Sequence, residues 1–383
     1  MIVTLVMGTR QSFGLFMRPI SLELGFGREL LAFALGLQNL VWGALSPFCG
    51  ALSDRYGEAR VSMAGAALFG LGVVVMGWAP SGEAIVLSQF LIGVGLGGVG
   101  LSTVLGAVGR AASPEKRSMA LGIVSAAGSV GQFLVVPGSH ALMEQHSWQF
   151  ALFVLSGMMF LVLPLSLGLG SARSAAVRRT AQPIKAALSE AFASRSFILL
   201  TVGYFVCGFH VVFIATHLPA YVADKGMPAW VGAAALALVG LFNIVGTYSS
   251  GWLGGKYSKK NLLTYIYLAR SAVFVAFLVA PISEISVLVF ASVMGLLWLS
   301  TIPLTSGLVA HLFGPAWMSM LYGIVFFSHQ IGSFLGAWLG GKIFDVFGSY
   351  DAMWWICIAL GLVAAAFNWP IVERPVARLR VPA

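Results

Sequence analysis

The sequence predicts an all-α integral membrane protein, with twelve transmembrane helices in two pseudo-symmetric six-helix bundles. Three observations carry that expectation: an apolar composition, a one-sided distribution of positive loops, and an internal duplication. Of 383 residues, 59% are hydrophobic and only 9% charged, whereas an ordinary soluble domain carries about 25% charged residues. A water-soluble fold of this size cannot hide so much apolar surface. A bilayer can, because a spanning helix needs about 20 mostly apolar residues.

Apolar runs between charged or Pro/Gly breaks place the spans near 1–20, 31–53, 61–79, 84–108, 119–141 and 148–169. A second set follows at 198–222, 231–253, 261–280, 285–309, 318–340 and 352–371. The domains read as an N-terminal bundle at 1–169, a linker at 170–197 rich in Ser, Ala and Arg, and a C-terminal bundle with a short tail at 198–383. Met1 leads directly into an apolar run without a basic n-region, so no cleavable leader is expected. Only nine residues precede Arg10, which points to a start placed too late.

The net charge of +9 would suggest nucleic acid in a soluble protein, but its placement gives it another cause. With both termini in the cytoplasm, sixteen Lys and Arg fall in inside loops and four, Arg18, Arg28, Lys225 and Lys342, fall outside. That asymmetry orients a multi-pass protein. With short loops, it points to a bacterial inner (cytoplasmic) membrane with both termini cytoplasmic. Cys49, Cys207 and Cys357 lie far apart in apolar runs, so they read as packing residues rather than disulfides or metal ligands.

Residues 118–134 align without a gap on 319–335, matching at eight of 17 positions with an offset of 201. The same offset places Gly50 and Leu52 on Gly251 and Leu253. Two segments sharing one offset indicate a duplicated six-helix unit, a parallel repeat about an axis along the membrane normal.

Between the second and third spans stands Gly50-Ala51-Leu52-Ser53-Asp54-Arg55-Tyr56-Gly57-Glu58-Ala59-Arg60. This resembles the major facilitator loop signature G-x-L-x-D-R-x-G-x-x-R, with the spacing and helix pair of that family. The resemblance implies a secondary transporter working by alternating access. It also implies a cytoplasmic charge lock that includes Gly50, Asp54, Arg55, Gly57 and Arg60. A tight turn with solvated charges is the plainer alternative. The second copy, running from Gly251 to Lys260, has glycine at 255 in place of the acid, so the lock is expected on one side only. Ser12-Phe13-Gly14-Leu15-Phe16 is loosely similar to a first-span segment of monocarboxylate and oxalate/formate carriers. Two positions depart from that pattern: Thr247 stands where those carriers have a substrate-binding arginine, and Gln89 where many proton-coupled relatives have an arginine.

Ionisable groups at membrane depth are costly and need an explanation. Every Asp and Glu falls in or beside a predicted loop, which leaves little support for cation export through a buried acid. Arg10 lies near the middle of the first span and Arg270 near the middle of the ninth. The planar guanidinium of Arg10 suits a carboxylate, while a structural arginine on carbonyls near Gly8 and Gly14 is its alternative. Arg270 is left between packing, snorkelling to the interface and a transport role.

His210, His217 and His329 are the candidate proton-coupling groups. The first two are seven residues apart and share a helical face, and His329 aligns on Gly128 of the other half. The remaining candidates for substrate contact are Gln11, Asn39, Gln132, Tyr204, Asn243, Trp298 and Gln330, with Gln38 beside them. Each alone is explained equally by interhelical hydrogen bonding. The glycine run from Gly93 to Gly100 has no preceding strand and no following Lys-Ser/Thr, so it reads as close helix packing rather than a nucleotide loop.

These residues point to a carrier of a small organic anion such as a monocarboxylate, driven by proton symport or anion exchange. A monomer in the bilayer is expected, with no cofactor, no metal, no nucleic-acid partner and no enzymatic activity. A drug-type efflux carrier is the first alternative, although Gly122, Gly128, Gly131 and Pro137 do not reproduce the glycine-proline pattern of drug/proton antiporters. A non-transporting sensor on the same scaffold is the second.

Overall fold

In a bilayer every backbone polar group must be satisfied within the segment, so long apolar runs become helices. The computed structural model describes residues 1–25, 28–170 and 182–379. The first half comprises α1 (Ile2–Leu24), α2 (Arg28–Tyr56), α3 (Glu58–Gly77), α4 (Gly82–Val99), α5 (Leu101–Ala111), α6 (Arg117–Gln145) and α7 (Trp148–Ser166). After a short helix α8 (Ile184–Phe192), the second half comprises α9 (Arg195–Asp224), α10 (Ala229–Lys256), α11 (Lys259–Val279) and α12 (Glu284–Leu297). It ends with α13 (Thr301–Phe313), α14 (Met318–Phe347) and α15 (Asp351–Asn368). With α4–α5 and α12–α13 each forming one span, the helices of the described residues make twelve spans in two bundles of six. Ten spans are long and apolar enough to cross a membrane on length and composition among the described residues. The other two, α1 and α2, are of similar length and carry the polar side chains Arg10, Gln11, Gln38 and Asn39.

Local chemistry sets several boundaries. Ser81, Ser147, Ser194, Ser258 and Ser283 each cap a helix by accepting a backbone N–H with the side-chain oxygen, satisfying one of the donors orphaned at a helix start. Gly57, with φ at +105°, provides the left-handed residue that turns α2 into α3.

Two spans are broken at related depths. The fourth is interrupted at Gly100, whose ψ of −173° is extended, and the tenth between Leu297 and Thr301. The glycine run therefore does more than pack. Gly95 and Gly98 admit Gly65 of α3 to backbone distance, and Gly93 admits the Gln38 carbonyl of α2, while Gly100 ends the helix.

The halves meet along two seams, α2 on α14 and α6 on α10. At the end bearing the 50–60 motif these seams have almost no side-chain padding. A Cβ on Gly122 would sit 2.9 Å from the Gly251 Cα, and one on Gly50 would sit 2.7 Å from the Ser319 carbonyl oxygen. At this end α5 and α13 also pack across the divide.

The expected linker at 170–197 is not all irregular. Residues 171–181 lie outside the described set, with Arg173, Arg178 and Arg179 among them, and α8 follows. That helix is tied to the second half: Trp317 Nε1 donates to the Gln182 carbonyl at 2.8 Å, and Arg378 of the tail pairs with Glu190 at 3.0 Å.

Candidate functional site

A polar chain crosses from the first half to the second at membrane depth. On α1, Arg10 Nη2 donates to Asn39 Oδ1 at 2.5 Å, and the guanidinium lies 5.0 Å from the centre of the Trp42 ring. Asn39 Nδ2 is committed to the Leu35 carbonyl at 2.9 Å, which fixes Oδ1 toward the arginine. From α14, Gln330 Nε2 donates to both the backbone and side-chain oxygens of Asn39, each at 3.3 Å. That orientation turns Gln330 Oε1 to His329, whose Nδ1 donates to it at 2.9 Å.

With the His329 proton on Nδ1, the tautomer follows from its neighbour. The other ring nitrogen, His329 Nε2, is buried and has no hydrogen-bond partner among the described residues. The imidazole stacks on Phe326 at 5.2 Å and lies 4.9 Å from the Tyr204 ring, and the Tyr204 hydroxyl meets that of Tyr322 at 3.2 Å. Arg10, Asn39, Tyr204, His329 and Gln330 thus form one connected group.

Arg10 has no carboxylate partner among the described residues, and its Nε makes no hydrogen bond. A half-buried guanidinium whose neighbours are a neutral amide and an indole face retains its attraction for an anion.

The other candidates lie elsewhere. Gln11 Nε2 donates to Gln132 Oε1 at 3.4 Å, a pair within the first half that reaches Gly240 of α10. Asn243 bridges the seam, donating to Ser129 Oγ at 2.7 Å and accepting from the Leu299 N–H at 2.9 Å. It thereby satisfies a donor freed by the break in the tenth span. Thr247 turns inward on its own helix, donating to the Asn243 carbonyl at 2.6 Å.

His210 and His217 share a helical face as expected, but that face is turned from Arg10. His210 Nε2 bonds the Cys357 carbonyl at 2.8 Å, and His217 bonds the Ala337 carbonyl at 2.8 Å and the Tyr350 hydroxyl at 3.3 Å. Both sit inside the second bundle. Carbonyls of α14 and α15 and the rings of Phe274 and Tyr350 occupy them, because seven-residue spacing fixes a face without fixing what it meets.

Arg270 is fully buried and does not snorkel. Its guanidinium donates to the Leu297 carbonyl at 2.7 Å and to that of Trp298. These are the acceptors exposed where α12 ends, so Arg270 closes the break with a cation at a helix C-terminus. It also contacts Cys207 Sγ at 3.6 Å, and Cys207 meets Thr301 Oγ1 at 3.2 Å. That cysteine therefore has polar neighbours where only packing was expected. Trp298 contributes its carbonyl to Arg270, and its buried indole N–H has no partner.

At the closed end a charge cluster differs in membership from the expected lock. The arginine on Asp54 is Arg110, at the end of α5, rather than Arg55 or Arg60, which are exposed. Arg55 lies over the Tyr56 ring at 5.3 Å. Arg110 also donates to Glu58 Oε1 from Nη2 at 2.8 Å and from Nε at 3.0 Å. Asp54 Oδ2 accepts from the Met320 N–H at 2.9 Å, in the first turn of α14, where the helix dipole favours a negative charge. Arg110 Nη2 reaches Ser319 Oγ at 3.3 Å, so the cluster joins the two halves. Arg110 is not named by the motif, because a motif names consecutive residues and Arg110 lies more than fifty positions from Asp54 and Glu58, while Glu58 stands inside the motif at one of its unspecified positions. The available signal was an arginine ending an apolar span on the same side as two acids.

The Major Facilitator Superfamily profile matches residues 1–337. The chain is 25% identical to an uncharacterised MFS-type transporter, YcxA, of Bacillus subtilis, over 96% of this chain and 92% of the relative. It is 26% identical to monocarboxylate transporter 13 of Rattus norvegicus, covering 91% and 81% of the two chains. It is also 26% identical to the 3-(3-hydroxy-phenyl)propionate transporter of Escherichia coli, covering 78% and 70%. Among solved structures, the proton:xylose symporter XylE superposes with a TM-score of 0.74 at 16% identity, over 97% of this chain and 94% of that one. The fucose:proton symporter FucP of Escherichia coli does so with a TM-score of 0.66 at 15% identity, over 96% and 97%. Duplicated bundles, broken fourth and tenth spans, a signature loop bound to the start of α14 and a family match over most of the length agree: the chain belongs to the major facilitator superfamily of membrane transporters and is not an enzyme.

Proposed function

We propose that the protein carries a small organic anion, such as a monocarboxylate, by alternating access across a bacterial inner membrane, with both termini in the cytoplasm. The observation that carries this reading is Arg10, a guanidinium at membrane depth with neutral partners, linked through Asn39 and Gln330 to His329 in the opposite half. An anion arriving at Arg10 gains a charge-assisted bond, and it competes for the hydrogen bonds that join the halves. Binding and domain movement are thereby coupled. Relatives named for monocarboxylates and for a phenylpropionate support the substrate class.

In this reading residues 1–169 and 198–383 are the moving bundles, 170–197 joins them in the cytoplasm, and a monomer suffices. The charge cluster at Asp54, which joins the start of α14 to the first half, holds the cytoplasmic end shut. Proton symport would use His329 Nε2, and anion exchange would need no proton. Uptake of labelled lactate, pyruvate, formate and oxalate into proteoliposomes, with and without an inward proton gradient, tests the reading. Saturable uptake of at least one acid is expected. Arg10→Gln abolishes it in folded protein, and Arg10→Lys retains part of it. Failure of wild type to move any acid would transfer the reading to neutral or amphipathic solutes.

A further inference from the structure

The offset of 201 that relates the halves can be applied to the charge cluster itself. Asp54 falls on Gly255, Glu58 on Lys259, Arg110 on His311 and Ser319 on Ser118. The second half has thus lost both acids and gained a lysine, while keeping the serine and the helix start that face them. His311 has turned away to the Glu373 carbonyl at 3.3 Å.

What remains is a basic, donor-lined recess. Ser118 is 7% exposed, and its Oγ has no hydrogen-bond partner. That oxygen lies 2.9 Å from where a Cβ of Gly254 would stand and 3.8 Å from that of Gly307. Lys259 lays its chain along the same wall, with Cε 3.2 Å from the Gly307 Cβ position, and its ammonium makes no hydrogen bond or ion pair among the described residues. The carboxylate whose charge acts on it, Glu373, is already engaged by Ser258 Oγ at 2.9 Å and by the Lys260 N–H. The start of α6 has no side-chain cap, and the Met119 N–H is the counterpart of the Met320 N–H that Asp54 accepts. At Gly255 a Cβ would meet nothing nearer than Ser118 Cβ at 3.9 Å.

We propose that this recess, between Lys259 and the first turn of α6, binds a small anion of chloride or formate size in place of the missing carboxylate. Lys259 supplies the charge and Ser118 Oγ with the Met119 N–H supply the donors, the usual equipment of an anion site at a helix start. Because α6 belongs to one half and Gly254, Lys259 and Gly307 to the other, the site is complete only while this end is closed. An anion bound there holds the carrier in that state. The site does not depend on Arg10.

The test is the unfolding temperature of the full-length Arg10→Gln protein, titrated with sodium formate or sodium chloride against sodium gluconate at equal ionic strength. A saturable rise with formate or chloride and none with gluconate is expected. Adding Gly255→Asp should raise the unfolding temperature without salt and remove the response, because the built-in carboxylate fills the recess. Adding Lys259→Gln should remove the response alone, and it serves if Gly255→Asp fails to fold. No response in Arg10→Gln, or one that neither added substitution changes, overturns the proposal. A response in Arg10→Gln from a protein whose wild type moves no carboxylate supports this site while overturning the Arg10 reading.

Discussion

Removing the Arg110 guanidinium would leave Asp54 and Glu58, both buried at the seam, without their cation. Breaking a buried pair by taking one partner destabilises by about 3–5 kcal/mol. Arg110→Gln should therefore lower the unfolding temperature sharply and speed alkylation of cysteines placed at the closed end. Arg55→Gln and Arg60→Gln alter exposed side chains and should stay within about 0.5 kcal/mol of wild type. Measuring the three together separates the structural lock from the motif as written. Arg270→Met leaves the Leu297 and Trp298 carbonyls without their buried donor and should reduce the yield of monodisperse protein on size exclusion, with Arg270→Lys recovering part of it. The sequence made Arg10 and Arg270 conspicuous for one reason, charge at membrane depth. It could not separate their roles, because that depends on what surrounds each: a neutral amide and an indole face for one, two broken-helix carbonyls for the other.

Among the elements, the long helices were legible within a few residues, because apolar length and serine caps are local properties. The break at Gly100 was hidden inside the same glycine run that announces close packing, and α8 was hidden by the polarity around it. The α6–α10 seam is where glycine matters most. A Cβ on residue 251 would stand 2.6 Å from the Gly122 Cα and 3.0 Å from the Ser118 carbonyl, so Gly251→Val should prevent this end from closing. With Leu304→Cys as reporter in a background free of native cysteines, its alkylation rate should rise, since Leu304 is fully buried in the closed arrangement. The histidines teach the opposite lesson: helical spacing correctly put His210 and His217 together, yet placed them against α14 and α15 rather than near the arginine.

At the scale of the whole molecule, one offset in the sequence foretold two bundles, and the structure extends its use from helices to single side chains. Interfaces along α2–α14 and α6–α10 are extensive, and among the described residues no helix is shared between the halves. Residues 1–170 and 182–383, produced as separate chains in one cell, should therefore co-purify and restore uptake. The halves are related but their closed end is not symmetric, since one seam is welded by Asp54, Arg110 and Glu58 and the other rests on backbone touching backbone at Gly122 and Gly251. A lid fastened along one margin and merely resting along the other does not lift evenly: it peels. The resting margin parts early, the ionic margin parts at the crest of the barrier, and the order reverses on closing. Asp54→Asn should for that reason accelerate opening while leaving the rate of closing nearly untouched, so that a single charge sets how long the carrier dwells in one posture rather than how fast it returns to it.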